Sequence, residues 1–364
     1  MTGSEAPLAE RLRRRISSQG PMTFAEFVEA ALYDPEEGFY ARPAVGEDAH
    51  FVTSPHISVA FGALVARQID EFWELLDKPA PFTVVEAGAG TGVLARQVLD
   101  ALGEPVRLAT RYVAVERSAG AREVTRSAEI EVAETLEDVP AASAGCVIAN
   151  EVLDNLPFQR VKGTAHGIVE LFVSVDAGRF VLEEGPPSSA RVVELAPALR
   201  DGEEAVVNLE ALRFVDRAAE LLDRGYIWLV DYGWPSMDRG ALVHGYREHR
   251  LEEDVLSNPG SRDITAGVDF NALASHARSR GLAVWGPVTQ RDALMALGYR
   301  EWEAAALAAQ AESLSQRRGM DAIRAFSERG RARMLVDPTG PGGFYVICFG
   351  VGTERPPRSV SDAK

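Results

Sequence analysis

The stretch Thr83-Val84-Val85-Glu86-Ala87-Gly88-Ala89-Gly90-Thr91-Gly92-Val93-Leu94 decides the fold. An apolar run ends in a carboxylate, alternating glycines follow, and a helical pattern begins at Val93. A chain that turns this sharply from a buried strand into a helix lets bare backbone approach a ligand where a Cβ would collide, and it aims the free N–H groups of the helix at the same crevice. Roughly two dozen residues on, Tyr112-Val113-Ala114-Val115-Glu116 supplies a second apolar strand ending in an acid, the group that takes up both hydroxyls of a ribose. Strand, glycines, helix, strand and acid, in this order, predict a nucleoside-cofactor site on an open parallel sheet.

The spacing admits two cofactors. Counted from Gly88 the pattern is G-x-G-x-G, with Val93 where a dinucleotide fingerprint wants its third glycine. Counted from Gly90, however, Gly90-Thr91-Gly92-Val93-Leu94-Ala95 satisfies the G-x-G-x-x-A form, so the loop alone leaves NAD open. Glu86 favours S-adenosylmethionine, because a carboxylate two residues before the first glycine suits the cationic amino-acid end of that ligand and repels a pyrophosphate. The plain alternative is a tight glycine turn with no ligand.

Composition narrows the class. The chain has 364 residues, more than one compact domain usually holds, which points to a core with an insertion or a second lobe. Apolar residues at 46% and charged ones at 25% are ordinary for a soluble globular protein. The formal charge of -16 argues against a general affinity for nucleic acid or an anionic membrane, since a phosphate-tracking surface needs clustered Lys and Arg. The two cysteines, Cys146 and Cys348, lie far apart in apolar runs and read as core residues of a reducing compartment. No apolar run approaches the ~20 residues of a membrane helix, and the basic patch Arg11 to Arg15 lacks the apolar core of a secretion signal. A cytoplasmic location is the expectation.

From about 82 to 150 strands and helices alternate, which predicts a parallel sheet covered on both faces. Before it the pattern is helical: Leu8, Leu12 and Ile16 recur at a spacing of four, Thr23 with Glu26 forms a capping box, and Phe61, Leu64, Val65, Ile69, Phe72 and Trp73 make a buried stripe. Between these helices an irregular stretch, Asp34 to Tyr40 and then Phe51 to His56, is placed to fold over a ligand. After the core strands, 168–175 and 179–182 read as an inserted antiparallel pair joined at Asp176-Ala177-Gly178. The expected division is a helical N-terminal region with a cofactor-covering loop (1–80), a core in two pieces (81–158 and 226–350), an inserted lobe (159–225) and a flexible tail (351–364).

Ligands of open parallel sheets bind beyond the carboxyl ends of the strands. The strand-end groups are therefore the candidates: Glu86, Glu116, then Asn150-Glu151-Val152-Leu153-Asp154-Asn155, and Asp231-Tyr232-Gly233. If the chain turns into a helix after Asn150, Glu151 and Asp154 share one face, and two carboxylates can clamp a planar guanidinium. Methyl transfer needs an aligned nucleophile and, for a protonated acceptor, a base. The alternative is that both acids merely cap a helix. The six histidines show no metal-ligand spacing, and no metal is expected.

Taken in order, these landmarks resemble the MidA-like family of class I S-adenosylmethionine-dependent methyltransferases. The resemblance runs from Gly20-Pro21-Met22-Thr23-Phe24-Ala25-Glu26 through Tyr33-Asp34-Pro35, Thr53-Ser54-Pro55, the glycine loop, Asn150 to Pro157, Asp231-Tyr232-Gly233, Gly245-Tyr246-Arg247 and Asp263-Ile264-Thr265, nearly the whole chain. It implies a Rossmann-like α/β fold: a mostly parallel seven-stranded sheet, a helical N-terminal region and an inserted α+β substrate lobe. It also implies that Thr53, Ser54 and Asn150 join Glu86, Gly88, Gly90, Gly92 and Glu116 around S-adenosylmethionine, with Glu151 and Asp154 catalytic. The mitochondrial member is an arginine methyltransferase assisting complex I assembly, so the implied partner is a protein arginine, as on a respiratory-chain subunit. A small-molecule acceptor and a cofactor-binding assembly factor without turnover are the rivals, and a homodimer is one option. The chain departs from the family pattern at Ala49, His50, His56, Trp234 and Gly267, all expected on the substrate side.

Overall fold

Strand β1 (Phe82–Ala87) is buried along its whole length, as its unbroken apolar run requires of a strand covered on both faces. The computed structural model describes residues 7–41, 53–128, 130–234, 243–247, 250–252 and 254–361. Around β1 assemble β2 (Thr110–Val115), β3 (Glu131–Ala133), β4 (Gly145–Asn150), β5 (Gly225–Asp231), β6 (Ala283–Thr289) and β7 (Tyr345–Val351), in the order β6-β7-β5-β4-β1-β2-β3. The pairs from β5 through β3 are all parallel, while β7 runs antiparallel to both β5 and β6. This is the expected seven-stranded class I methyltransferase sheet.

Register brings the strand ends together. Glu86 lies opposite Ala114 of β2 and Ile148 of β4, and Asn150 lies opposite Val230 of β5. Glu86, Glu116, Glu151 and Asp231 therefore leave the sheet at one edge. One face is covered by the helices Val59–Leu75 and Val93–Ala101, whose Phe61, Leu64, Ile69 and Phe72 are fully buried. Phe72 stacks on Tyr226 of β5 at 4.3 Å between ring centroids. The other face carries Leu209–Glu220 and Phe270–Ser279.

The second lobe is built from both ends of the predicted division. Met22–Thr23 pairs antiparallel with Gly167–Asp176, which also pairs with Gln159–Thr164 and Arg179–Gly185, while Glu204–Val207 adds to Gln159–Thr164. Phe24, Phe27 and Val28 of the following helix share one apolar cluster with Phe158, Val173, Ile264 and Ala266. The predicted capping box is formed: Thr23 Oγ1 accepts the Glu26 N–H and the Glu26 carboxylate accepts the Thr23 N–H. Helix Leu209–Glu220, assigned by pattern to the insertion, turns Leu212, Phe214 and Val215 onto the central sheet.

The alanine-rich stretch after β6 folds as two long helices, Tyr299–Ser315 and Gly319–Met334, parted where Arg317 adopts φ +58°. One expectation needs correction. The tail expected to be flexible is docked up to Ser361: the Arg358 N–H bonds Glu71 Oε1 at 3.0 Å, Trp228 Nε1 donates to Ser359 Oγ at 3.4 Å, and Val360 joins the core cluster. A polar sequence concealed this, because its anchors are one valine and partners 131 to 291 positions away in the chain.

Candidate active site

A cavity of about 1650 Å³ opens between the carboxyl edge of the sheet and the second lobe. Its cofactor half is the glycine loop. Gly88, Gly90 and Gly92 all adopt positive φ, +68°, +53° and +72°. A Cβ on Gly88 would stand 2.5 Å from Val152 Cγ2, whereas one on Gly90 would meet nothing within 4 Å. Gly90 lines the cavity, so its missing side chain leaves room that belongs to a ligand. Glu116 holds this loop in shape: its Oε2 accepts the Gly90 N–H at 2.8 Å and its Oε1 the Ser118 N–H at 2.7 Å. Burial raises the Glu116 carboxyl while those two N–H groups pull it back down.

Glu86 is buried and its Oε2 accepts the Tyr112 hydroxyl at 2.7 Å. Burial pushes its pKa up to about 8 against the pull of the Tyr112 hydroxyl and of Arg96, which favours the protonated form at neutral pH. The expected repulsion of a pyrophosphate assumed an ionised Glu86.

The acid half begins at Glu151, held at φ +56°, a left-handed conformation costly for a residue with a Cβ. Its N–H donates to Val230 O at 2.8 Å, while its Oε1 accepts the Ser54 N–H and Asn150 Nδ2, each at 2.9 Å. Ser54 opens the short helix Ser54–Ile57, and Gln97 Nε2 donates to Pro55 O at 2.9 Å. The Thr53-Ser54-Pro55 loop is thereby tied to Glu151 and to the helix that follows the glycines. Asn150 Oδ1 is buried without a partner.

The helix that would put Glu151 and Asp154 on one face does not form after Asn150. Leu153–Asn155 is a single 3-10 turn, shaped by Asp231, whose Oδ2 accepts the N–H groups of Val152, Leu153 and Asp154 at 3.1, 2.8 and 3.3 Å. Glu151 and Asp154 therefore reach the cavity without sharing a helix face, and neither caps a helix. Asp154 is 6% exposed, and its Oδ1 has no hydrogen-bond partner. Burial and the neighbouring Asp231, Asp263 and Glu151 push its pKa well up. Burial raises Glu151 as well.

The structure adds residues not assigned to the site from sequence, Tyr33, Tyr40, Asp263 and Thr265, beside Asn155 and Tyr232 from the candidate strand ends. Most lay within the landmark motifs, which were the available signal, but their convergence depends on the lobe docking against the sheet. Of the departures from the family pattern, His56 lines the cavity, with its Nδ1 2.8 Å from Thr53 Oγ1. Burial and the nearby Arg96, on the helix after the glycines, lower its pKa. Trp234 and Gly267 do not line the cavity, and Ala49 and His50 lie outside the described residues. Among the described residues no group of His, Cys, Asp or Glu is arranged to hold a metal, and no helix is long and apolar enough to cross a membrane.

Residues 64–288 match a family described as putative S-adenosyl-L-methionine-dependent methyltransferases. The chain belongs to this family. It is 31% identical over 335 residues to rat mitochondrial protein arginine methyltransferase NDUFAF7, covering 80% of this chain and 74% of the relative. The mitochondrial NDUFAF7 homolog of Drosophila melanogaster is 30% identical, over 78% and 73% of the two chains. A likely methyl transferase from Burkholderia thailandensis, solved with S-adenosyl-homocysteine bound, superposes with a TM-score of 0.83 at 27% identity, over 98% of this chain and 95% of the other. The MidA-like resemblance and the S-adenosylmethionine cofactor stand on these findings, which decide against NAD. The methyltransferase's cavity fits that cofactor: a bare loop at Gly90, an unpartnered amide oxygen on Asn150, and carboxyls at Glu86 and Glu116.

Proposed function

We propose that this methyltransferase modifies a guanidino nitrogen of an arginine on a partner protein, as the names of its NDUFAF7 relatives suggest. The carrying observation is Asp154, a buried carboxyl with an unpartnered oxygen among three further acids, Glu151, Asp231 and Asp263. So much buried acid, with no cation among the described residues acting on it, suits an acceptor that brings its own positive charge.

In this reading Gly88, Gly90 and Gly92 admit the cofactor, Glu116 takes its ribose, Glu86 meets its amino group, and Asn150 with the Thr53-Ser54 loop closes its methionine side. When bound, S-adenosylmethionine supplies a methyl group on a cationic sulfur that leaves as a neutral thioether. Arginine is a poor nucleophile while protonated, so Glu151 and Asp154 orient the guanidinium, and Glu151 accepts the proton that the methylated nitrogen gives up. Its raised pKa moves it toward that task, and the Ser54 N–H fixes its position. A respiratory-chain subunit as the partner and a reducing cytoplasmic setting belong to the same proposal, the latter supported by two buried free cysteines.

The test is transfer of tritium from labelled S-adenosylmethionine into a cell extract, followed by acid hydrolysis. Methylated arginine is expected, and Glu151→Gln should remove it. Label confined to small molecules would overturn the protein acceptor.

A further inference from the structure

Asp263 stands at the start of the strand Asp263–Ala266, on the lobe side of the cavity, and is 2% exposed. Its two oxygens are used unequally. Oδ1 accepts the Tyr40 hydroxyl at 3.0 Å, Asn155 Nδ2 at 2.9 Å and the Ile264 N–H at 3.0 Å. The bond recorded at Oδ2 is the second branch of the same Asn155 donor, at 3.0 Å. Oδ1 thus takes three donors and Oδ2 one, so Oδ2 retains capacity that no other donor among the described residues fills.

Asp154 is the neighbour of Asn155 on the 3-10 turn, so the residue anchoring Asp263 also sets where Asp154 points. Its Oδ1 is the unpartnered oxygen noted above. Two buried carboxyls, each with acceptor capacity left over, thus face one cavity from opposite structural units, sheet edge and lobe. Between the units, the rings of Tyr33 and Tyr40 stack at 5.6 Å between centroids, and Tyr33 Oη donates to Asn155 O at 3.3 Å. Glu151 differs, because its Oε1 is already occupied by Ser54 and Asn150. Two separated acceptors match a planar, forked guanidinium better than the point charge of an ammonium.

We infer that Asp263 is the second jaw of the acceptor clamp: with Asp154 it grips the guanidinium and sets the preference for arginine over lysine, leaving Glu151 to face the reacting nitrogen. The inference rests on the arginine reading above. It makes Asp263 a specificity-determining residue that touches the acceptor and not the cofactor.

The experiment titrates N-acetyl-arginine amide by calorimetry into protein saturated with S-adenosyl-homocysteine. Wild type should bind it and bind N-acetyl-lysine amide at least about ten-fold more weakly, and Asp263→Asn and Asp154→Asn should each weaken the arginine probe by about ten-fold or more. Unchanged S-adenosyl-homocysteine affinity reports that each variant is folded. Absence of arginine-probe binding to wild type, or equal binding by a folded Asp263→Asn, overturns the clamp. Should Asp263→Asn fail to fold, methylguanidinium soaked into wild-type crystals decides: density between Asp154 and Asp263 upholds the inference, and density elsewhere or none overturns it. The tritium experiment separates the two levels. Methylarginine in the hydrolysate with no effect of Asp263→Asn sinks the clamp alone, whereas label on another residue type sinks the arginine reading and the clamp with it.

Discussion

The indole of Trp234 occupies the space that a side chain on residue 267 would need: its Cζ3 lies well inside van der Waals contact of an ideal Cβ built on Gly267. Trp234 ends the strand Gly233–Trp234, and Gly267 immediately precedes Val268–Asp269, the strand paired with it in parallel. Two departures from the family pattern are therefore one change in space, a large ring on one strand accommodated by no side chain beside the other. Since neither residue lines the cavity, the pair gives no reason to move the substrate away from protein arginine.

That coupling is measurable. Gly267→Ala alone should destabilise the fold by about 1–3 kcal/mol through overpacking, and Trp234→Ala should restore most of that loss when combined with it. Urea unfolding of the four proteins in a double-mutant cycle gives the interaction energy. Strict additivity would show that the ring and the missing Cβ are unrelated.

The glycines of the loop serve different ends, and their alanine variants should part accordingly. At Gly90 the added methyl meets no protein atom within 4 Å, so Gly90→Ala should cost only the roughly 1–2 kcal/mol of a left-handed alanine. Because the methyl enters the cofactor's space, affinity for S-adenosylmethionine should fall by about ten-fold or more, each ten-fold being about 1.4 kcal/mol. Gly88→Ala adds the contact with Val152 Cγ2 at 2.5 Å and should destabilise the folded protein more. Thermal melts and cofactor titration on both variants check this; equal stability losses would contradict the separation.

The central sheet was legible in the sequence because each buried strand is a continuous apolar run whose end is marked by glycine or an acid, and those marks do not depend on distant residues. The cofactor half inherited that legibility. The lobe did not: Met22 pairs with Val173, and nothing in either local pattern names the other. At Leu153–Asn155 the local spacing allowed a helix, whereas a carboxylate 77 positions later in the chain claims its N–H groups. Asp263 went unassigned for the same reason, since its role needs Tyr40 and Asn155 in place.

Asp231 should behave as the support of the acid half. Its Oδ2 accepts three backbone N–H groups and its Oδ1 accepts the Tyr232 N–H at 2.8 Å. An amide offers only one accepting atom, so Asp231→Asn leaves buried donors unmet, at about 1–3 kcal/mol for each such group. Stability should drop, and methyl transfer should fall further than cofactor affinity, because the displaced turn carries Asp154 and not the glycine loop. Unfolding curves beside transfer assays and cofactor titrations decide; a loss confined to cofactor binding would count against this role.

Glu86 gives the ligand-free protein a pH dependence of predictable sign. Its carboxyl has a pKa near 4.5 in an open chain and about 8 in the fold, so between those values the native state holds a proton that the unfolded state has lost. Stability from this group is fully present below pH 4.5 and is lost as pH rises toward 8. Asp263, raised to about 7 chiefly by burial, acts in the same direction, so only the difference between wild type and Glu86→Gln isolates Glu86. The variant should gain stability over wild type as pH climbs through that window, by less than the full shift implies because water can enter an open cavity. It should also bind S-adenosylmethionine more weakly, having no charge to offer the amino group, and should no longer release the proton that wild type sheds on binding. Melting temperatures across pH 5 to 8.5, and calorimetry of cofactor binding in buffers of unlike ionisation enthalpy, read both effects. Parallel melting curves for the two proteins would mean that Glu86 is ionised in the empty site.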